Sequence, residues 1–315
     1  MKRKNLYWIG GGILALALVC GACVGLGVLV ANTTGDGGLA FGDAVAVVRV
    51  EGPIVSGDPT QDPFGGGSSA AFSSRIVNHL KQANEDESVK AVVLRVNSPG
   101  GGVVASDEIH QQMLKMDKPV VASMGDVAAS GGYFVSAPAD EIWANPNTLT
   151  GSIGVIGQFI NIEGFLEEHG IEATAITSGK FKDTGSLFRD MTEEDRALWQ
   201  AIIDEAYDDF VAIVAEGRDM AEEEVRALAD GRVYTGRQAK AAGLVDELGN
   251  LPDAIERAAE LGGIEGTPRL VEYDEPPTVF EALFGAFQRP TPVEELQSLL
   301  HLEVGPNLMY LYTQP

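Results

Sequence analysis

The chain has 315 residues, 45% of them hydrophobic, with 38 glycines and 15 prolines, and this composition excludes a disordered or fibrous protein. Its formal net charge is −24, with the only dense basic cluster at residues 2–4, and a surface of that sign repels phosphate, so we expect no nucleic acid partner. Both cysteines, Cys20 and Cys23, lie in an apolar N-terminal run, which leaves the rest of the chain without a disulfide or a thiolate metal site.

A charge-free segment near the N-terminus predicts a membrane anchor. Residues 6–31 hold no charged side chain, and the segment is longer than the roughly 20 residues that a helix needs to cross a bilayer. The basic cluster precedes it, so by the positive-inside rule residues 1–5 stay in the cytoplasm and the body of the protein lies on the other side of the cell membrane. We therefore expect one transmembrane helix over 6–31, followed by a glycine-rich linker over 32–43.

From residue 44 onward, strand and helix patterns alternate. Short apolar runs predict strands at 44–50, 91–96, 119–123, 142–144 and 171–177. Amphipathic or capped segments predict helices at about 70–84, 106–116, 133–137, 192–217, 221–229 and 251–261. The longest of these helices opens with Thr192 and Asp195, which have the spacing of a capping pair. The alternation predicts an α/β domain over 44–275 with a mainly parallel sheet, followed by a less regular tail over 276–315.

Two turns of this domain have unusual sequences. Residues 97–102 (NSPGGG) follow the second predicted strand, and residues 125–132 (GDVAASGG) follow the third. Ligand sites in α/β sheets lie where strands end in turns, and glycines there leave backbone N–H groups accessible. Ser130 precedes a predicted helix, where a serine is either a nucleophile or a helix N-cap, and the local sequence leaves both interpretations open.

A serine nucleophile needs a base, and the histidines do not offer one. All four lie in predicted helices, before a glycine or in the tail, and none stands in a turn beside a residue that would orient it. They are His79, His110, His169 and His301. The loop 178–185 (SGKFKDTG) supplies Lys180 and Lys182, which can be a base or simply solvated lysines. No zinc-peptidase motif is present, and we expect no metal.

Several longer motifs together resemble one family. The segments NSPGGG, MGDVAASGGY, TLTGSIGV, SGKFKDTGSLFR and DGRVYTGRQA, in this order within residues 44–249, resemble the signal peptide peptidase A family, also called protease IV. The resemblance implies the crotonase-like fold that the family shares with the Clp protease subunit, a superhelix of βαβ units. It also implies a serine endopeptidase that uses a Ser-Lys dyad and no cofactor. The implied substrates are remnant signal peptides and other apolar peptides near the membrane.

The same resemblance implies roles for five residues. They are the nucleophile Ser130, the general base Lys182, Ser152 as a hydrogen-bond partner of the base amine, and Gly101 and Gly131 as backbone N–H donors of the oxyanion hole. Lys180 does not match the family base. Whether Gly100 or Gly101 supplies the first oxyanion donor stays open.

A lysine base has a consequence for assembly. The pKa of a lysine is ordinarily near 10.4, and the amine acts as a base near neutrality only where burial lowers that value by about 3. We therefore expect Lys182 to be covered, plausibly by a neighbouring subunit. The short form of the family, with one such serine and lysine per chain, assembles into a ring, so this chain is expected to form a homo-oligomer.

Three other functions are compatible with parts of the sequence. Residues 100–105 (GGGVVA) fit a dinucleotide-binding pattern, although no acidic residue ends a following strand at the required distance. A crotonase-like enzyme acting on coenzyme A esters would use the same oxyanion geometry. An inactive membrane-anchored scaffold of this fold would need neither Ser130 nor Lys182.

Overall fold

The computed structural model describes residues 42–58 and 70–273, together with the backbone of 308–311. The predicted anchor over 6–31 and most of the tail over 276–315 lie outside the described residues. Within the part described, no helix has both the length and the apolar character that crossing a membrane requires.

The elements follow one another in the alternating order that the sequence predicts. The first half of the domain contains β1 (Ala44–Glu51), β2 (Ile54–Val55), β3 (Ala71–Phe72), α1 (Ser73–Glu85), β4 (Val89–Ser98), β5 (Gly100–Gly102), α2 (Val103–Met113), β6 (Val120–Ala129), α3 (Gly131–Ser136), β7 (Glu141–Ala144) and β8 (Leu149–Gly151). The second half contains β9 (Ile156–Gly157), α4 (Glu163–Glu168), α5 (Glu193–Gly217), α6 (Glu222–Leu228), β10 (Val233–Thr235), α7 (Gly236–Ala241), β11 (Glu247–Leu248), α8 (Leu251–Leu261) and β12 (Arg269–Glu272), and β13 (Leu308–Leu311) follows.

The main sheet is mostly parallel, as predicted. Its strand order is β10-β8-β6-β4-β1-β12, with β7 also beside β6 and β11 beside β7. Every pair in it is parallel except β8 with β10. Parallel neighbours require crossover connections, and the helices between the strands supply them.

Hydrophobic residues on both faces of this sheet explain its burial. Along β1, Val45 and Val47 point into a core closed by Ala254 and Ala258 of α8, whereas their neighbours point into a larger core on the opposite face. Because successive side chains of a strand alternate between faces, a continuous apolar run such as AVAVV fits a strand covered on both sides. In the larger core Phe134 of α3 meets Phe210 of α5 edge-on, with ring centroids 5.0 Å apart.

Most predicted elements are confirmed, with ends that shift by a few residues. Helix α8 has the predicted bounds, and the capping pair is present because the Thr192 and Asp195 side chains each accept an N–H bond from the other residue at 3.1 Å. The strand predicted at 171–177 is wrong. Those residues are irregular and exposed, Ile176 by 97%, because no described strand lies beside them to pair with their backbone.

The turn predicted after the third strand is shorter than expected, because β6 continues to Ala129. Val96 pairs with Met124, but Ser98 pairs with Ala128, so β6 carries two extra residues at this point. The Asn97 side chain fills the irregularity and accepts a hydrogen bond from the Val127 N–H at 3.3 Å. Beyond the irregularity, β6 pairs with β8 instead of β7.

A second, smaller sheet lies beside the end of β4. Its order is β3-β2-β5-β13-β9. The pairs of β2 with β3 and β5 are parallel, and those of β13 with β5 and β9 are antiparallel. These short strands carry no sequence pattern of their own, and the glycines of β5 were predicted only as a turn.

Candidate active site

Ser130 joins the end of β6 to the start of α3. Its backbone has φ 53° and ψ −116°, and it is one of three described residues other than glycine with a positive φ. Its N–H donates to the Gly151 carbonyl at 2.8 Å, and its carbonyl accepts the Phe134 N–H at 2.9 Å. The side chain is only 1% exposed, and Oγ makes no capping bond to α3. Ser130 is therefore the N-cap residue of α3 by position, but its hydroxyl does not cap the helix and makes no hydrogen bond to a described residue.

The glycines after Ser130 allow two turns to touch. A Cβ at Gly131 would lie 2.7 Å from the Ser106 Oγ and 3.1 Å from the Gly101 nitrogen. A Cβ at Gly132 would lie 2.7 Å from the Ser98 carbonyl oxygen. Real Cβ atoms essentially never come closer than 3.0 Å to another atom, so a side chain at Gly132 would clash with the Ser98 backbone, and one at Gly131 would require the Ser106 hydroxyl to shift and the β5 backbone to give by a few tenths of an ångström. The structure thus brings together Gly101 and Gly131, the two residues for which the resemblance implies oxyanion contacts.

The turn between β4 and β5 is fixed by a buried serine. Ser98 Oγ donates to the Gly52 carbonyl at 2.7 Å and accepts the Gly100 N–H at 3.1 Å. Gly100 has φ 103°, which a side chain would oppose. At Gly101 a Cβ would overlap the Ile54 carbonyl oxygen and lie 2.7 Å from its carbon. The backbone of β5 is therefore held in one position against β2.

Ser152 lies beside Ser130 for a reason that the sheet supplies. Ala129 and Gly151 are partners on the parallel strands β6 and β8, so the two serines follow directly after paired residues. Like Ser130, Ser152 has a positive φ of 50°, and its N–H donates to the Arg232 carbonyl at 2.8 Å. Ser152 is buried, with 7% of its surface exposed. Two of the three described non-glycine residues with a positive φ are therefore Ser130 and Ser152, which lie side by side in one site.

The two lysines of the 178–185 loop differ in their contacts. Lys180 forms an ion pair with Glu194 and lies 5.5 Å from the Phe181 ring centroid. Lys182 is exposed, and its amine has no hydrogen bond or ion pair to any described residue. None of the described residues buries Lys182, so the covering that the sequence predicts would have to come from beyond them.

Arg189 organises the loop that carries Lys182, a role that the sequence analysis missed. Its guanidinium donates to both oxygens of Asp183 at 2.9 and 3.0 Å, and to Asp195 at 2.6 Å. These hydrogen bonds hold the pKa of both carboxyls below the ordinary range. Asp195 is 2% exposed and also caps α5, so the residue next to Lys182 is tied to a helix end. The only local signal was the arginine that ends the motif SGKFKDTGSLFR.

The described histidines lie against neighbouring aromatic rings, and His169 does so at the surface. His110 is buried on α2 with its ring 5.4 Å from Phe134, and burial lowers its pKa. His79 lies against Tyr273 and His169 against Phe165. His301 is outside the described residues. Within the described ranges, no group of three or more His, Cys, Asp or Glu side chains could hold a metal ion.

The site consists of a buried serine that lies between a parallel strand and a helix and faces a glycine turn at the end of the neighbouring strand. The protein is therefore an α/β protein with a hydrolase-like site. Comparison with known families agrees: peptidase family S49 matches residues 112–265, and the Clp protease family matches residues 64–150. The putative protease slr0021 of Synechocystis is 41% identical over 210 residues, which are 66% of this chain and 75% of that protein. This chain belongs to peptidase family S49.

Other relatives are longer than the region they share with this chain. Protease 4 of Salmonella typhi is 37% identical over 266 residues, which are 82% of this chain but 41% of that protein. A putative signal peptide peptidase SppA of Enterococcus faecium is 44% identical over 199 residues, 60% of this chain and 58% of that protein. Among solved structures, a ClpP1 variant from Listeria monocytogenes matches with a TM-score of 0.43 and 17% identity, over 66% of this chain and 94% of that one.

Proposed function

We propose that this chain is a serine endopeptidase that hydrolyses remnant signal peptides and other apolar peptides, with Ser130 as nucleophile and Lys182 as general base. The observation that carries the proposal is the position of Ser130. The residue stands at a strand–helix junction, its Oγ makes no hydrogen bond to a described residue, and a Cβ at the following Gly131 would lie 3.1 Å from the Gly101 nitrogen, in a member of peptidase family S49.

The oxyanion hole is assigned to the N–H groups of Gly101 and Gly131. The alternative donor, the Gly100 N–H, is already engaged by Ser98 Oγ, which favours Gly101. Backbone donors on a rigid turn stabilise charge that develops on the scissile carbonyl oxygen without needing to reorient. The close packing of Gly131 and Gly132 against residues 98–101 supports such rigidity.

Lys182 is favoured over Lys180 as the base because Lys180 is held by Glu194. Since Lys182 is exposed in a single chain, we propose that a second copy covers it in a homo-oligomeric ring. Burial at that interface would lower the pKa of the amine, and Ser152, beside Ser130, would accept a hydrogen bond from it. Exposed apolar residues of the same segment, among them Phe181 and Phe188, suit an interface of this kind.

The reaction is acyl transfer in two steps. Neutral Lys182 takes the proton of Ser130 Oγ while the oxygen attacks the peptide carbonyl carbon, and the resulting ammonium protonates the leaving amine as the peptide bond breaks. A water then attacks the acyl-enzyme, gives its proton to Lys182 and releases the second product, after which Lys182 returns a proton to Ser130. No metal or cofactor enters these steps.

The cellular setting is part of the proposal. An anchor over residues 6–31 would hold the domain at the outer face of the cell membrane, where released signal peptides and other apolar peptides concentrate. The name of the Enterococcus faecium relative, a putative signal peptide peptidase, supports this substrate class.

The test compares the full chain in detergent with three variants on a fluorogenic apolar peptide. Ser130→Ala and Lys182→Ala should lose activity while keeping the oligomer size measured by light scattering, and the matched control Lys180→Ala should retain it. Activity in Lys182→Ala but not in Lys180→Ala would move the base to Lys180. An inert wild type whose Ser130 takes no fluorophosphonate label would instead indicate an inactive scaffold.

A further inference from the structure

The part of β6 that leads to Ser130 changes its pairing partner before it reaches the serine. Up to Met124, β6 pairs with β7, and from Val127 onward it pairs with β8. On its other side the register with β4 shifts in the same stretch, between Val96 and Ser98. Because the regular ladder is interrupted here, other contacts must hold the main chain of β6 in place.

Two buried threonines of the motif TLTGSIGV supply such contacts. Thr148 Oγ1 donates to the Gly125 carbonyl at 2.6 Å, and Thr150 Oγ1 donates to the Ala128 carbonyl at 2.7 Å. Thr148 has 1% of its surface exposed and Thr150 has none. Water cannot replace a buried hydrogen bond unless the sheet opens, so both bonds constrain the main chain of β6.

The Thr150 bond lies directly before the candidate active site. Ala128 precedes Ser130 by two residues, and Thr150 precedes Ser152 by two residues. Ala128 and Thr150 are also partners in the pairing of β6 with β8. One side-chain hydrogen bond therefore connects the two chain segments that end at the two serines.

The Thr148 bond has the same chemistry but lies farther away. The carbonyl that it binds belongs to Gly125, which precedes Ser130 by five residues. Pairing between β6 and β8 begins only at Val127, after this point. The two threonines thus make the same kind of bond to the same strand, and only that of Thr150 lies within the β6–β8 ladder next to the serines.

The relative position of the two serines depends on this ladder. Ser130 and Ser152 both have a positive φ, 53° and 50°, which a regular strand does not provide. The Ser130 N–H donates to the Gly151 carbonyl across the same two strands, so a displacement of β6 along β8 would move one hydroxyl relative to the other. Threonine suits the task because its branched side chain has few rotamers, which limits where the hydroxyl can point.

We infer that Thr150 is a positioning residue for the reaction, and that its hydrogen bond to the Ala128 carbonyl fixes Ser130 relative to Ser152. The inference rests on the proposed function, in which Lys182 takes the proton of Ser130 and Ser152 accepts a hydrogen bond from the lysine amine. Thr150 acts through the geometry of the two serines. Its loss therefore affects the chemical step more than the binding of the peptide.

Hydrolysis of a fluorogenic apolar peptide by the full chain in detergent separates positioning from general packing. Thr150→Val keeps the side-chain shape without the hydroxyl, Thr150→Ser keeps the hydroxyl, and the matched control Thr148→Val removes the same kind of bond farther from Ser130. We expect Thr150→Val to lower kcat about tenfold or more with KM within about twofold, and Thr150→Ser to return kcat to within about threefold of wild type. Thr148→Val should lower the melting temperature but keep kcat within about threefold.

Three kinetic results would overturn the inference. They are an unchanged kcat in Thr150→Val, an equal loss of kcat in Thr148→Val, and a Thr150→Ser variant as slow as Thr150→Val. The last two would show that kcat follows general packing of the sheet and not the hydrogen bond of Thr150.

Hydrogen–deuterium exchange keeps the inference testable if the enzyme is inert. The Ser130 N–H bonds the Gly151 carbonyl at 2.8 Å, so its exchange rate reports how firmly β6 is held against β8. Mass spectrometry with fragmentation should show this amide exchanging at least about tenfold faster in Thr150→Val than in wild type, and within about threefold of wild type in Thr148→Val. An inert wild type with this pattern would refute only the proposed function. If the wild type is inert and the three chains exchange alike, the inference fails as well.

Discussion

Gly101→Ala tests whether the rate of peptide hydrolysis depends on the position of the β5 backbone. The added Cβ would overlap the Ile54 carbonyl oxygen and lie 2.6 Å from the Ile54 nitrogen, and both atoms belong to the backbone of a neighbouring strand. Ordinary contact begins at about 3.4 Å, so β5 must move from β2 by more than a side-chain adjustment can absorb. Overpacking of this kind costs about 1–3 kcal/mol. Loss of an aligned oxyanion donor lowers kcat by about 100- to 1000-fold.

The adjacent glycine provides the control. A Cβ at Gly102 would meet the Ala105 Cβ at 3.7 Å and the Ile54 oxygen at 3.9 Å, which are ordinary distances, and Gly102 has φ −62°. We expect Gly102→Ala to keep kcat/KM within about threefold, since it leaves the donor geometry in place. Peptide hydrolysis and thermal unfolding of both variants measure the two effects separately. If folded Gly101→Ala keeps kcat/KM within a few-fold of wild type, the assignment of the Gly101 N–H to the oxyanion hole is wrong.

Three further changes address other parts of the structure. Arg189→Ala leaves the buried Asp195 without its cation, and the loop that carries Lys182 is then held less well. We expect kcat, measured by steady-state kinetics, to fall about tenfold or more, and Arg189→Lys to recover only part of the loss. Tyr133→Phe removes a buried 2.8 Å hydrogen bond to a main-chain carbonyl and should cost about 1–3 kcal/mol by calorimetry. The Arg257 hydrogen bonds lower the pKa of Glu141 from 4.5, so this pair contributes stability above pH 4.5 that is lost as the pH falls through the lower, folded-state pKa. Glu141→Gln should therefore lower Tm at pH 7 but not at strongly acidic pH, and an equal deficit at both would contradict this account.

The elements that the sequence predicted well are those with strong local signals. The AVAVV run of β1 identifies a strand buried on both faces before any partner is known, and Thr192 with Asp195 marks the start of α5. Helix α8 begins after Asn250 with a proline in its first turn, which is a local signal for a helix start, and its bounds agree with the prediction.

The missed and wrong elements depend on partners distant in sequence. Residues 171–177 have the composition of a strand but no described neighbour, whereas β5 and β9 are too short to show any pattern and exist through pairing. The irregularity in β6 depends on Asn97, which precedes it by about 30 residues. Periodicity within a window cannot report contacts of this kind.

The candidate site was predictable chiefly from its resemblance to a family. Local reasoning left Ser130 as either a nucleophile or a helix cap, and in the structure Ser130 stands at the N-cap position of α3 without a side-chain capping bond. The neighbouring position of Ser152 follows from the pairing of β6 with β8, which sequence alone does not give. The bonds of Arg189 were missed because an arginine near two aspartates in sequence has many possible geometries.

The backbone of Ser130 implies that stability and activity oppose each other at this residue. A non-glycine residue at φ 53° and ψ −116° lies outside the favoured regions, and such conformations cost about 1–3 kcal/mol. Glycine would adopt the same angles with little strain, so Ser130→Gly is expected to raise the melting temperature while it removes the proposed nucleophile. A selection for thermal stability alone would therefore tend to replace this serine, and only a selection for catalysis would keep it.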